Sequence, residues 1–373
     1  MSDQIVLESK IERTPRVMQI EGMFGIDSQT KSITKIPLKN VDLNSRPWNV
    51  GLIVGSSGAG KTTVAKHLFE TEMKAQENMI WASDHSLVDD FPKDMTIKDI
   101  TELLSSVGFS SPPAWLRPFS ALSNGEQFRV SMARLLAENP ELTVVDEFTS
   151  VVDRTVAKVG SHAIAKTVRR RDQKFVAVTC HYDVEDWLQP DWVYEPATGT
   201  FRWESVQLRP SVELKIERTD IKSWNVFRRH HYLSESLPLN GKMFLATIDG
   251  QPAAFCCVVP FPHPKTKNLW RIARSVVIPD FQGIGVGRAF TDMIAAGFSA
   301  YGKTVISTTG HPQMIRARMS SPSWKMTAAP RRTAKPGKSS TMKSSATASN
   351  RLVASFKFIG KPDATLLPLI IQK

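Results

Sequence analysis

The stretch "GSSGAGKTT", residues 55–63, fits the pattern GxxxxGK[ST]. It follows "VGLIVG", a short apolar run of β-branched residues that stops in glycine, so the spacing predicts a buried strand ending in a turn. It opens "KTTVAKHLFE", which reads as a helix. That context makes the motif a phosphate cradle formed by Gly55, Ser56, Ser57, Gly58, Ala59, Gly60, Lys61, Thr62 and Thr63. Backbone N–H groups of the loop and of the helix start would surround the β-phosphate, with Gly58 and Gly60 allowing close approach. Lys61 would reach the β- and γ-phosphates, and the Thr62 hydroxyl would be placed for Mg²⁺.

Working outward, "NMIWAS" (78–83), "LTVVDE" (142–147) and "KFVAVTC" (174–180) read as further buried strands. Helical stretches separate them, such as "GEQFRVSMARLLAE" (125–138) and "RTVAKVGSHAIAKTVRRR" (154–171). Strands alternating with helices imply a largely parallel, covered sheet. "DWVYEPATGTFRWES" (191–205) closes this region as a hairpin turning at Gly199. Asp146 ends a strand and can hold Mg²⁺; the adjacent Glu147 can orient or deprotonate an attacking water. "LSNGEQ" (122–127) stands at a helix start, "SVVD" (150–153) ends in Asp153, and His181 ends a strand in "VTCH".

The ordered set "GSSGAGKTT", "LSNGEQ", "LTVVDEF", "SVVD" and "CH" resembles the ABC ATPases over residues 1–205. The resemblance implies that Ser123 and Gly125 cap ATP held by a second subunit, that Asp153 bridges the subunits, and that His181 senses the γ-phosphate. It implies a head-to-tail homodimer formed with ATP. Asn124 departs from the usual glycine. The usual glutamine is missing from "WASDHSLVDDF", where Asp84 or His85 could replace it.

A second glycine series, "PDFQGIGVGRAF" (279–290), follows the strand "LWRIARSVVI" (269–278) and opens a helix expected over 284–301. A dinucleotide site would want an acidic residue about 20 positions on. Asp292 comes too early and Asp363 too late. The competing pattern, Q/R-x-x-G-x-G/A, is met by Gln282, Gly285 and Gly287, and resembles the GNAT acyltransferases over roughly residues 211–373, within an expected domain of residues 206–373. The resemblance implies acetyl-CoA or another acyl-CoA as donor. Gln282, Gly283, Gly285, Val286, Gly287 and Arg288 would lie at its pyrophosphate, and Val276, Val277 and Ile278 beside its pantetheine arm. The fold expected is therefore α/β: a P-loop ABC ATPase domain, then a GNAT α/β acyltransferase domain.

Around the second motif, "SVELKIERT" (211–219), "TVISTT" (304–309) and "RLVASFKFIG" (351–360) read as strands, and "MFLATIDGQPAAFCCVV" (243–259) as a hairpin turning at Asp249-Gly250. "DIKSWNVFRRHHYL" (220–233) looks helical. Acceptor-side catalytic candidates are His231 and Glu235, with His230 and Tyr232 beside them; solvated residues at a helix end are the blander reading. Cys256, Cys257 and Trp324 read as core. Ser307, Thr308 and Thr309 either touch the acyl group or cap the turn at His311. "HHYLSESLP", "VVIPDFQGIGVG" and "SPSW" also resemble the phage Mom-type acyltransferases that modify DNA bases.

The chain's net charge of +12 favours a polyanionic partner such as nucleic acid, an anionic membrane surface or an acidic protein, the blander reading being a solvated basic loop; nucleic acid is the partner expected. No Asp or Glu occurs from Met293 to Pro362. Residues 328–350 read as a basic, flexible segment. Three cysteines form no disulfide framework, and no run approaches the roughly 18 apolar residues that span a bilayer. The expected setting is cytoplasmic, with no membrane partner.

Overall fold

The computed structural model describes residues 4–28, 30–38, 41–204, 212–231, 236–264, 266–332 and 352–372. Along the chain run β1 (Gln4–Lys10), α1 (Pro15–Phe24), β2 (Lys31–Pro37), β3 (Val50–Val54), α2 (Lys61–Leu68), α3 (Glu70–Glu77), α4 (Ile97–Ser106), α5 (Pro112–Trp115), α6 (Asn124–Glu138), β4 (Leu142–Val145), α7 (Arg154–Arg171) and β5 (Lys174–Thr179). There follow α8 (Val184–Leu188), β6 (Trp192–Glu195), β7 (Thr200–Trp203), β8 (Lys215–Thr219), α9 (Ile221–Phe227), β9 (Lys242–Ile248), β10 (Gln251–Pro260), β11 (Leu269–Val277), α10 (Val286–Ala300), β12 (Thr304–Thr309), α11 (Pro312–Met319), β13 (Trp324–Arg332), β14 (Leu352–Phe358) and α12 (Leu367–Ile371).

The chain divides into two compact units that do not follow its order. The first comprises Met1–Ile80, Leu135–Val152 and Ala165–Arg209. The second comprises Trp81–Arg134, Asp153–Ile164 and Pro210–Lys373. The helical segments 81–134 and 153–164, read from sequence as part of the ATPase half, thus group with the C-terminal region.

The first unit is built on a five-stranded sheet of order β4-β5-β3-β6-β7. β4, β5, β3 and β6 are parallel and β7 is antiparallel to β6. All five residues of β3 are buried, as an unbroken apolar run in a covered sheet should be. Gly51 is where Trp192 packs: a Cβ there would lie 2.1 Å from the indole. Residues 78–83 form no strand. α3 ends at Glu77, and its Gln76 side chain braces the end of β4: Asp146 N donates to Gln76 Oε1 at 2.7 Å, and Gln76 Nε2 donates to Asp146 O at 3.1 Å. β1 and β2, not foreseen from sequence, pair antiparallel as a separate two-stranded sheet.

In the second unit a seven-stranded sheet runs β13-β14-β12-β11-β10-β9-β8. Only β11 and β12 are parallel; the other pairs are antiparallel. The β9–β10 turn falls at Asp249 and Gly250, both at positive φ, as a two-residue hairpin requires. α10 covers the sheet through Phe290, Ile294 and Phe298. Cys256 and Cys257 are buried core residues whose thiols are pushed up by burial, Cys257 to about 11. Trp324 is core as well, with the buried Arg318 guanidinium 4.4 Å above its ring. Trp81 belongs to this unit, where it stacks on Phe119 with ring centroids 4.5 Å apart and has the Arg134 guanidinium over its ring at 4.6 Å. That stacking draws an apolar residue out of the strand read from the sequence. Residues 328–332 belong to β13 rather than to a flexible segment; 333–350 lie outside the described residues.

Candidate functional site

Two sites are legible, one in each unit. In the first unit β3 runs into the 55–63 loop and α2 starts at Lys61, with Gly60 before it at φ 87°. A Cβ on Gly60 would lie 2.6 Å from Ile36 Cδ1, so glycine is needed there for both space and backbone. Ala59 N donates to Ser56 O at 3.2 Å, and the buried Lys61 donates from Nζ to the same carbonyl at 2.9 Å. These bonds bend the loop back over the helix start, whose amides are the kind that can receive an anion.

Thr62 Oγ1 donates to Asp146 Oδ2 at 2.8 Å. The two expected metal ligands therefore meet at one point. They are hard oxygen donors of the kind Mg²⁺ takes beside nucleotide phosphates, and so fit that ion. Glu147 is exposed and holds φ 53°; Thr149 holds φ 68°. Between them Phe148 fixes the turn: its N–H donates to Val178 O at 2.9 Å, and Thr179 Oγ1 donates to its carbonyl at 2.9 Å. Ser150 Oγ donates to Glu147 Oε2 at 2.6 Å. A left-handed non-glycine residue held this firmly is often a functional one. His181 follows β5, its N–H donating to Thr179 Oγ1 at 3.2 Å.

In the second unit Ser123 and Glu126 form a reciprocal capping box at the start of α6. Ser123 N donates to Glu126 Oε2 at 3.0 Å and Glu126 N donates to Ser123 Oγ at 3.4 Å. The S-x-x-E spacing was the available sequence signal for Glu126. Asp153 caps α7, accepting from Thr155 N at 2.9 Å and Val156 N at 3.0 Å.

The pairing of β11 with β12 covers only Leu269–Ile272 against Thr304–Ser307. Beyond Ile272, β11 continues to Val277 paired only with β10. Val276 and Val277 thus lie on a strand edge that β12 has left, and Ile278 N donates to Ala253 O at 2.9 Å. This edge leads to Gly283 (φ 89°), Gly285 (φ 98°) and the amides that begin α10. A Cβ on Gly285 would meet nothing within 4 Å, so that side of the loop is open; one on Gly287 would lie 3.0 Å from Val277 Cγ2, so the helix seats tightly on the strand end. Val286 is buried in the core, and Arg288 lies 3.7 Å from Asp292. An open strand edge leading into a glycine cradle fits an extended arm ending in a pyrophosphate.

Residues 182–311 match the Acetyltransferase (GNAT) family model.

The ATPase side has its own relatives. The methionine import ATP-binding protein MetN of Escherichia coli (strain K12) is 28% identical over 185 residues, 39% of this chain and 53% of that protein. The chain spans about half the length of the curated relatives it matches. Among solved structures, cbiO1 from Clostridium perfringens, part of the ABC transporter complex cbiONQ, aligns with TM-score 0.37 and 18% identity over 45% of this chain and 81% of its own. The ribosomal-protein-S18-alanine N-acetyltransferase from Escherichia coli aligns with TM-score 0.30 and 17% identity over 41% of this chain and 99% of its own. The fold is an ABC ATPase-like domain together with a GNAT domain. Among the described residues no helix is long and apolar enough to cross a membrane.

Several contacts around the GNAT-side loop escaped the sequence. Gln282 does not turn to the open side of its loop. Its Oε1 accepts from Ser110 N at 2.6 Å and its Nε2 donates to Val277 O at 2.8 Å. Arg129 of α6 is fully buried, donating to Asp280 O at 2.8 Å and Val107 O at 3.2 Å; burial lowers its guanidinium to about 10. Asp280 is pushed up, first by burial, against the opposing pull of Arg129. The Ser110–Gln282 and Arg129–Asp280 contacts join positions more than a hundred residues apart, and no local spacing encodes them.

The acceptor candidates separate. His230 accepts at Nε2 from Arg229 Nε at 3.1 Å, and burial, then Arg229, lower its pKa. His231 lies edge-on to Trp224, ring centroids 5.8 Å apart. Glu235 and Tyr232 lie outside the described residues. Thr309 Oγ1 accepts from His311 N at 3.1 Å, Thr308 meets Ser355 at 3.0 Å, and Ser307 bonds Arg318. Of the basic residues after Asp292, Arg318 is buried and Arg316 pairs with Glu102, so neither is a free surface charge. Lys325 and Arg331 are exposed.

His311 carries a pH dependence. Its Nε2 lies 3.3 Å from Ser110 O, and burial lowers its pKa below 6.5. The unfolded chain therefore takes up this proton before the folded one does. The stability it contributes is complete above the unfolded pKa and is lost as pH falls below it. Urea midpoints of His311→Gln should consequently fall less than those of the wild type between neutral pH and about pH 5. Equal losses would contradict this.

Proposed function

We propose that the chain binds and hydrolyses ATP in its first unit, and in its second transfers an acyl group from acyl-CoA to an amine, a nucleic-acid base being the favoured acceptor. The observation that carries the acyl-CoA reading is the β11 edge beyond Ile272, which β12 leaves unpaired and which ends in the Gly283–Gly287 cradle.

In this reading Gly55–Thr63 hold the phosphates. Thr62 and Asp146 would hold Mg²⁺, which would supply neutralisation of phosphate charge. Glu147 orients and deprotonates the attacking water, and His181 contacts the γ-phosphate. Ser123, Gly125 and Asp153 act across a head-to-tail dimer. On the acyl side the edge at Val276–Ile278 aligns the thioester and the loop amides take the pyrophosphate. The amine nitrogen attacks the thioester carbonyl. The C–N bond forms and the C–S bond breaks; His231 takes the amine proton, and the departing thiolate is protonated to free CoA. The setting proposed is cytoplasmic.

A base acceptor of the Mom type is supported by the net charge and by exposed Lys325 and Arg331 on a segment without acids. A flipped or single-stranded base would enter the acceptor side. Titrations with duplex DNA, single-stranded DNA and RNA at several salt concentrations test this. Log affinity should fall linearly with log salt, at about 0.9 per duplex phosphate contact. Arg331→Ala should weaken binding to all sequences and flatten the slope by about one contact. If all three polymers bind no tighter than to an unrelated protein of equal charge, the acceptor is instead a protein or small amine.

A further inference from the structure

The loop assigned to the CoA pyrophosphate is built into the same compact unit as the ATP-capping loop at 122–127. Gly108, just past α4, holds φ 92° and Gly283 holds φ 89°. A Cβ on Gly283 would lie 2.9 Å from Gly108 Cα; one on Gly108 would lie 2.7 Å from Gln282 O and against the Arg129 guanidinium. Ser110 N donates to the Gln282 side chain, and Arg129, on the helix that begins with the capping loop, donates to Asp280 O. Backbone packed against backbone, with partly buried hydrogen bonds on either side, cannot yield smoothly; a push on one member moves the others.

The push has an identifiable source. The Asp280 carboxylate lies beside the capping loop: a Cβ on Gly125 would lie 3.3 Å from Val156 Cγ1 and 3.6 Å from Asp280 Oδ1. A γ-phosphate seated at Gly125 would bring like charge against that carboxylate, two residues before Gln282. The Arg129 guanidinium already lies on the Asp280 backbone carbonyl, and Arg229 is the other cation felt by this carboxylate. The repulsion therefore falls on the segment that shapes the CoA cradle. We propose that ATP engagement at the capping loop and acyl-CoA binding at the Gly283–Gly287 cradle are mutually antagonistic, with Asp280 as the residue through which each opposes the other. This rests on the ATP and CoA assignments above. ATP thereby gains a definite role, because engaging the dimer empties the cradle of CoA, acylated or spent.

The test is calorimetric titration of acetyl-CoA into the full chain carrying Glu147→Gln, without nucleotide and with saturating Mg-ATP. The Kd for acetyl-CoA should rise about fivefold or more with ATP, and reciprocity requires acetyl-CoA to raise the Kd for ATP by the same factor. Asp280→Asn, titrated in the same background, should keep CoA binding without nucleotide and bring the ratio towards one. Direct competition for a single nucleotide site would leave the antagonism intact in Asp280→Asn, and that result overturns the proposal. So does a Kd for acetyl-CoA that ATP leaves unchanged or lowers, even though the CoA assignment itself would then stand. Absence of acetyl-CoA binding in either state would sink the CoA assignment and this inference with it. The reciprocal titrations need no substitution at Asp280, so a poorly folding Asp280→Asn leaves the question decidable.

Discussion

Glu147→Gln is expected to bind ATP normally and to lose turnover by about 100-fold to 10,000-fold, the range general-base catalysis supplies. The geometry explains both halves. The carboxylate stands on a left-handed residue fixed by Phe148 and is held by the Ser150 hydroxyl at 2.6 Å. An amide of the same shape still accepts that bond through its oxygen, so the turn should survive. What it cannot do is take a proton. Lys61, Thr62 and Asp146 are untouched, and the cradle should therefore fill as before. With hydrolysis blocked, the ATP-joined dimer should persist and elute as a dimer in size-exclusion chromatography with saturating ATP. Lys61→Ala should instead weaken ATP binding itself. Phosphate release above a tenth of the wild-type rate in Glu147→Gln would remove Glu147 from the base role, and a monomer at saturating ATP would remove the ATP-joined dimer.

Gly285→Asp should abolish measurable acetyl-CoA binding, an effect of at least 100-fold. Gly285 holds φ 98°, a conformation that costs a side chain roughly 1–3 kcal/mol. A Cβ there meets no protein atom within 4 Å, so the new side chain would project into the space assigned to the pyrophosphate. Its carboxylate adds like charge where helix amides offer partial positive charge. Gly285→Ala separates these effects: it keeps the strain and drops the charge, and should lose less affinity. ATP turnover without acceptor should be unchanged in both variants. Wild-type-like CoA binding by Gly285→Asp would place the donor elsewhere.

Much of this was legible because phosphate-binding loops are written locally. "GSSGAGKTT" and "QGIGVG" each specify a strand end, a glycine turn and a helix start within a dozen residues, and both turns formed as read. The Asp249-Gly250 hairpin was local in the same sense. "NMIWAS" failed because a short apolar run does not say what it will pack against: Trp81 stacks on Phe119, and Gln76 braces β4 from the preceding helix. Arg129, Asp280 and the buttressing role of Gln282 were invisible for a different reason. Gln282 meets Ser110 across 172 positions, and Arg129 meets Asp280 across 151. Only the folded chain brings a helix read as part of the ATPase against the loop of the acyltransferase. The basic residues after Asp292 read in sequence as one surface charge, yet Arg318 is buried over Trp324, because a long cation can pack on an aromatic face as readily as it meets water.

That one chain joins an ATPase to an acyltransferase acting on nucleic acid is tested most directly by tracing the acyl group. The full chain would be incubated with Mg-ATP, isotopically labelled acetyl-CoA and each of duplex DNA, single-stranded DNA and RNA, and the polymers digested to nucleosides for mass spectrometry. A nucleoside heavier by one labelled acetyl group is the predicted product, absent with Gly285→Asp. Labelled CoA consumed with the label found only on protein or a small amine would contradict the nucleic-acid acceptor. No label transferred to any amine would contradict the acyltransferase itself.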